Sequence, residues 1–454
     1  MTRRNIRIAA AYFVLCAPLP ATVRGQGVNE DELFGDTAMI VDSATLVDNT
    51  SIRESAADRK TIGVSGDITG SGTATAMRDW FDADGGRFRG SDTRLASSVV
   101  GTMFLDARLP AAIKGFGAME ARYAPDSGAA FELSELFVDA NYKKRVYVRV
   151  GKQVLQWGRC YFFNPTDLIN IEKKSFLLKL GAREGAFGCR VHIPFGTRFN
   201  LYGFLDTRGA ARPDQVAGAA KAEVLAGGTE MAVGLWGRRT AVPVYSFDIS
   251  TTIADFIIAG EMALSHGDNL GRLVEENGTL YNRTAPEKWT PRAAVGVTRF
   301  FDFLDIDDRI MAIAEFYYNH GGYDKSIFND SANYAYSEPV TMNVDGPGPV
   351  TLSQGYKAVF FILNNLYEMN NYGKYYAALF TSIRRFIVQD MTLTLNALSN
   401  IAEPSFIVSG GLSYKTLHDF SLGLTVNGFL GRDYTEYTFL NNALSVQLTA
   451  GIAF

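Results

Sequence analysis

The sequence predicts an all-β protein: a transmembrane antiparallel β-barrel of about eighteen strands, with sixteen as the alternative. Three observations carry this. The last twelve residues, Ala443 to Phe454, alternate strictly, with Leu444, Val446, Leu448, Ala450, Ile452 and Phe454 on one parity. Ser445, Gln447, Thr449, Gly451 and Ala453 fill the other, and side chains of one parity share one face of a strand. Second, connections between the candidate strands alternate between short and long. Third, after the N-terminus no apolar run approaches the roughly 18 residues of a spanning helix, so a membrane span would have to be made of strands.

Composition agrees with this reading. The chain has 454 residues, of which 47% are hydrophobic, a moderate share. A barrel spreads its membrane face over alternate positions, so bulk hydropathy stays unremarkable. The 21 tyrosines and 31 phenylalanines could supply interfacial girdles. A net charge of −4 argues against nucleic acid as a partner.

The N-terminus reads as a signal peptide over residues 1–25. Arg3, Arg4 and Arg7 precede an apolar stretch from Ile8 to Ala21, and cleavage is expected near Ala21 or Gly25. Export then leaves two cysteines, Cys160 and Cys189. A disulfide between them is permitted in that compartment, although Cys189 on an apolar parity also reads as a small buried hydrophobe. Residues 26–58 are acidic, polar and without sustained alternation, which suggests a periplasmic tether, or a short plug or partner contact around Leu33-Phe34. The barrel is expected over 59–454.

Candidate strands lie near 60–69, 95–107, 113–124, 131–142, 145–155, 185–194, 197–206, 218–226 and 229–238. They continue near 244–252, 255–265, 291–301, 309–318, 374–383, 388–399, 404–416, 419–431 and 443–454. Counted back from Phe454, every second connection is short, as at 417–418, 253–254, 227–228 and 143–144. The others include all the long ones: 70–94, 156–184, 207–217, 266–290, 319–373 and 432–442. Short periplasmic turns and longer outer loops are the habit of such barrels. A sandwich has no reason to sort its loops by parity.

Within the strands, Leu136, Val138, Ala140 and Tyr142 oppose Glu135, Asp139 and Asn141. Val146, Val148, Val150 and Val154 oppose Arg145, Arg149 and Gln153. Lys152 interrupts that apolar parity and could snorkel at a membrane rim. Leu398 breaks the alternation of its strand. Ions fall inside the candidate strands, among them Glu120, Arg122, Asp139, Arg149, Arg190, Arg198, Glu230, Asp248 and Glu315. Such groups need water or a partner. About 16–18 strands enclose a lumen too wide for wall side chains to fill. A wide polar interior implies a channel unless something plugs it.

The stretch expected to set what passes runs from Arg149 to Asn170. Asn164 suits a helix cap, Pro165 a first turn and Asp167 the helix dipole, so a short helix is expected near 165–170. With Leu177, Leu178 and Leu180 to pack against, the loop 156–184 could fold inward and narrow the pore, or lie over the rim. Candidate pore-lining or constriction residues are Glu120, Arg122, Asp139, Arg149, Gln153, Trp157, Arg159, Asp167, Arg190 and Arg198. Trp157 also reads as a packing anchor. The segment 356–371 is apolar for a loop and reads either as a helix or as a further strand pair.

Gly151 to Gly158, G-K-Q-x-x-x-W-G, followed by Asn164-Pro165-Thr166-Asp167, resembles a motif of porin-like outer-membrane proteins of diderm bacteria. A terminal strand ending in Phe resembles their assembly signal. The resemblance implies residence in the cell outer membrane among its lipids and contact with the barrel-assembly machinery. It does not specify a substrate; the wide polar interior, with no energy-coupling sequence near the N-terminus, gives passive passage of small hydrophilic solutes as the expected function. The resemblance also makes a homotrimer possible. Only weak ion preference is expected, because both charge signs line the interior.

Enzyme chemistry finds little support. His266 and Asp268 form an H-x-D that could act as a general base in a barrel hydrolase, but solvated loop polarity explains it as well. Asp82, Asp84 and Gly85 hint at a Ca²⁺ turn without the full ligand set. No metal or cofactor is expected. A structural or host-binding surface protein with a closed pore is the main rival.

Overall fold

The computed structural model describes residues 61–78, 81–82, 87–88, 93–109, 113–169, 185–284, 288–342, 350–415 and 419–454. Residues 1–25, expected to be a signal peptide, the acidic segment 26–58, Leu177 to Leu180 and most of the suggested Ca²⁺ turn lie outside the described residues.

Eighteen strands close into one antiparallel sheet. In chain order they begin with β1 (Thr61–Met77), β4 (Thr93–Leu109), β5 (Ile113–Ala124), β6 (Gly128–Tyr142), β7 (Val146–Gln153) and β8 (Ala186–Phe195). Then come β9 (Phe199–Asp206), β10 (Ala217–Ala226), β11 (Thr229–Arg238), β12 (Val244–Ile253), β13 (Phe256–His266) and β16 (Trp289–Phe301). The last six are β17 (Ile310–Asn319), β20 (Tyr375–Arg384), β21 (Met391–Asn400), β22 (Ser405–Lys415), β23 (Phe420–Gly431) and β24 (Asn442–Ala453). Neighbours in sequence pair with each other, and β1 closes the ring by pairing with both β4 and β24.

The two-residue strands β2 (Phe81–Asp82) and β3 (Arg87–Phe88) pair in the first long connection. Long connections also build a layer over one mouth. There β14 (Gly271–Glu276), β15 (Thr279–Thr284), β18 (Tyr334–Met342) and β19 (Val350–Gly355) make a small sheet. It is joined by the helix α1 (Lys357–Leu363), which resolves the 356–371 alternatives toward a helix. Phe360 and Phe361 are fully buried on its inner side, packed with Leu280, Tyr336 and Tyr372.

The apolar parity faces out. Leu448 is 62% exposed, while Gln447 beside it is 3% exposed. Leu136, Val138, Val150, Leu205, Leu395 and Leu430 are likewise exposed on the outer face. Apolar outside and polar inside is the transmembrane arrangement, since a membrane replaces water around the wall. The parity of β6 reverses once. Phe131 and Leu133 are exposed, as are Leu136 and Val138, because a bulge between them leaves Ser134 without an opposite number on β5.

Two strand expectations are corrected. β1 runs to Met77 rather than to residue 69. The added residues GSGTATA are small and show no apolar alternation, so backbone pairing to β4 and β24 holds them rather than a greasy face. Lys152 does not snorkel. It is buried, with its ammonium over the Phe187 ring at 5.6 Å. Gly151 before it has φ +132°, and a Cβ there would meet the Leu136 carbonyl oxygen at 2.1 Å, so only glycine fits this bend.

Candidate functional site: a segment anchored across the lumen

Past Gln153 the chain leaves the wall and enters the barrel. Residues 154–169 carry no helix; the expected start near Pro165 is a turn, and Asp167 N–H donates to the Asn164 carbonyl at 3.1 Å. Leu168 N–H, which a helix would aim at the Asn164 carbonyl, closes on the Thr166 carbonyl at 2.9 Å instead, and the chain before it is held in place by two carboxylates of the opposite wall. Glu261 on β13 accepts from Arg159 N–H at 2.5 Å, Cys160 N–H at 2.6 Å, Asn164 Nδ2 at 3.1 Å and Thr166 N–H at 3.1 Å. Glu315 on β17 accepts from the amides of Tyr161, Phe162 (2.8 Å) and Phe163 (3.1 Å). Charge-assisted bonds of this kind are the stronger ones, and a buried carboxylate requires them.

The crossing is nearly diametric. β17 stands eight strands from β7 around an eighteen-stranded ring. Phe163 stacks on Tyr317 of β17 with ring centroids 5.1 Å apart and planes 9° apart. Cys160 and Phe163 then share a cluster with Ala259, Tyr376 and Leu398, which are buried on the inner face. Leu398 breaks its strand's alternation because it serves this inner contact. On the near side, Trp157 is buried against Leu155, Ile169, Ala186 and Phe204.

Arg159 is the charged centre. Its guanidinium reaches Glu223 (3.0 Å), Glu230 and Asp248, on β10, β11 and β12. Lys221 donates to the Trp157 carbonyl at 2.7 Å and pairs with Asp248 at 3.1 Å. Two cations thus face five carboxylates, counting Glu261 and Glu315. Three of the acids surround one planar fork, a geometry a lysine could not serve. Burial, offset by Asp248 and then by Glu223 and Glu230, leaves the Arg159 guanidinium above its ordinary range.

The facing wall holds most of the remaining candidates. Glu120 pairs with Arg122 at 3.0 Å on β5. Asp139 receives Arg149 twice, at 2.6 and 2.9 Å, and Arg149 also lies over the Phe137 ring at 3.9 Å. Arg190 stands opposite Arg149 in register, half-buried. Gln153 is fully buried, its amide aimed at the Arg149 and Gly188 carbonyls at 3.4 Å. Asp167 is buried within the inward segment. Arg198, expected in a strand, sits exposed in the turn between β8 and β9.

Sequence reasoning missed Lys221, Glu223 and Glu261 as site residues. A signal was present: Glu261 lies between Ala259 and Ala263 on one parity, and Lys221 follows Ala217 and Ala219. Alanines beside an inward ion leave room for a second layer of chain. The motif glycine Gly158 is explained in the same way. A Cβ there would meet Asn164 Cβ at 2.7 Å and Glu261 Oε1 at 2.8 Å.

Cys160 and Cys189 are both free thiols; Cys160 is buried inside, while Cys189 shares the outward parity of Phe187 and Val191. Asp268 holds Arg292 through two 2.8 Å contacts, while His266 lies edge-on to Trp289. The H-x-D pair is therefore committed to other partners.

Fold and site together define a transmembrane-type barrel with a constricted, ion-lined lumen. No protein-family model and no curated protein matches the sequence. By fold, the chain is similar to Pseudomonas aeruginosa OccK2 (OpdF), solved in complex with glucuronate. Identity is 7%, the match covers 87% of this chain and 98% of that one, and the TM-score is 0.51. A BenF-like porin from Pseudomonas fluorescens Pf-5 aligns at 8% identity over 87% and 98%, with a TM-score of 0.50. The outer membrane protein opdK from P. aeruginosa aligns at 6% over 86% and 98%, also at 0.50. At these identities the likeness concerns the fold.

Proposed function

We propose that this chain is a porin-like channel of the cell outer membrane through which small hydrophilic solutes diffuse passively. The observation that carries the reading is the inward segment 154–169, tied across the lumen by wall carboxylates as well as by its buried aromatic contacts. It narrows the lumen without replacing the ion-paired wall of β5 to β8. Solutes pass between two unlike faces. One bears the Glu120–Arg122 and Asp139–Arg149 pairs with Arg190; the other bears Arg159 and its carboxylates, of which Glu230 is the most exposed. Trp157, Gln153 and Asp167 position the segment. Folded-in structure of this sort sets selectivity by shape and local charge.

Residues 1–25 direct export, the terminal strand ending in Phe454 engages the assembly machinery, and a homotrimer is compatible with the exposed outer wall. The rival reading, a surface-binding protein with a closed pore, draws on the loop layer of β14, β15, β18, β19 and α1. Reconstitution in planar bilayers decides between them. Stable conductance steps are expected, and a folded barrel that stays silent would reject the channel.

A further inference from the structure

The outer wall is dented between β8 and β11. Ile193 and Leu201 on one side, and Val233 and Leu235 on the other, flank a groove floored by Gly203 and Ala222, about 500 Å³ in volume. These side chains belong to the outward, apolar parity, so the groove opens toward acyl chains. One outward position nearer the short-turn rim stand Phe195 and Phe199, with rings 5.4 Å apart, as at a membrane interface.

The rim at this sector is basic. The β6–β7 turn presents Lys143, Lys144 and Arg145, and the neighbouring β8–β9 turn presents Arg198; all four are exposed. Among the described residues none of them has an ion-pair partner. The β16–β17 turn, eight strands from β8–β9's neighbour β7 around the ring, instead carries Asp302, Asp305, Asp307 and Asp308. The basic turn is also strained. Lys143 and Lys144 take φ +52° and +55°, and Arg145 N–H closes on the Tyr142 carbonyl at 3.0 Å. That is the hairpin turn for which Asn-Gly is preferred.

We propose that this sector binds an anionic glycerophospholipid, with its phosphate on the basic turns and one acyl chain in the groove. The charge of the rim and the apolar groove select it together, since neither alone distinguishes it from bulk lipid. The inference rests on the membrane setting assumed above, but not on conduction.

The full chain, folded in a non-ionic detergent and mixed with phosphatidylglycerol, is examined by native mass spectrometry. One retained lipid per barrel is expected, favoured about tenfold over the diacylglycerol of the same chains. The double variant Lys143→Asn/Lys144→Gly suits the turn better, so it should fold at least as well. It should lose about tenfold in retention. Ala222→Leu fills the groove without changing charge and should lower retention too. Equal retention of diacylglycerol, full retention by the double variant, or a second copy occupying the groove in place of lipid would each overturn the proposal. Bilayer recordings of the same samples keep the two readings apart. A silent barrel that still retains the lipid fails only the channel, and a conducting barrel without it fails only this site.

Discussion

Thr166 gives Glu261 two hydrogen bonds on one oxygen, from its amide at 3.1 Å and its Oγ1 at 2.7 Å. The second oxygen receives the amides of Arg159 and Cys160. One carboxylate on β13 therefore ties both ends of an eight-residue stretch, and the crossing segment depends on it.

Replacing that anchor should loosen the constriction. Glu261→Ala leaves several buried donors without an acceptor, at about 1–3 kcal/mol for each group left unsatisfied. Single-channel conductance should rise, and detergent stability should fall. Unchanged conductance with a stable barrel would mean the segment does not limit passage. Glu315→Ala should act in the same direction.

Arg159→Met removes the cation from among Glu223, Glu230 and Asp248. Breaking a buried ion cluster by removing one partner costs about 3–5 kcal/mol. In a salt gradient the reversal potential should shift toward cation selectivity. Arg159→Lys should recover it only in part, because an ammonium cannot reach three acids in the same geometry. Full rescue by lysine would contradict the fork argument.

Gly158→Ala inserts a methyl where Asn164 and Glu261 stand below 3 Å. The expected result is a folded barrel whose segment is unseated, with conductance resembling Glu261→Ala. Gly203→Ala meets open space inside 4 Å and should leave conductance unchanged. Equal effects of the two would argue against a steric cause.

The loop layer should respond to pH. Glu436, in the connection 432–441, is 1% exposed; burial pushes its carboxyl up to about 8 from the ordinary 4.5. Glu436 accepts from Asn370 N–H and Asn400 Nδ2, and its own amide donates to Glu403. Because the folded value lies above the unfolded one, the stabilisation is complete below about 4.5 and is lost as pH rises through about 8. Amide exchange in 432–441 should accelerate across that window, and Glu436→Gln should flatten the response. A pH-independent rate in the parent chain would reject the linkage.

The strand order, the sorting of loops and the outward parity were legible because each is a local, repeating property. A two-residue period of hydropathy records which face meets lipid, and the strands from 113–124 to 443–454 were found within a few residues of their places. The anchoring of 154–169 was not legible. Asn164-Pro165-Thr166-Asp167 has the local chemistry of a helix start. Local preference is worth about 1 kcal/mol per cap, whereas Glu261 and Glu315 each offer several charge-assisted bonds. Those carboxylates lie about a hundred residues or more along the chain, and only closure of the barrel brings them beside the segment. The sequence by itself determined a ribbon with one greasy side. Which buried ion meets which amide inside it was decided by the tertiary structure, because that pairing depends on distances across the ring.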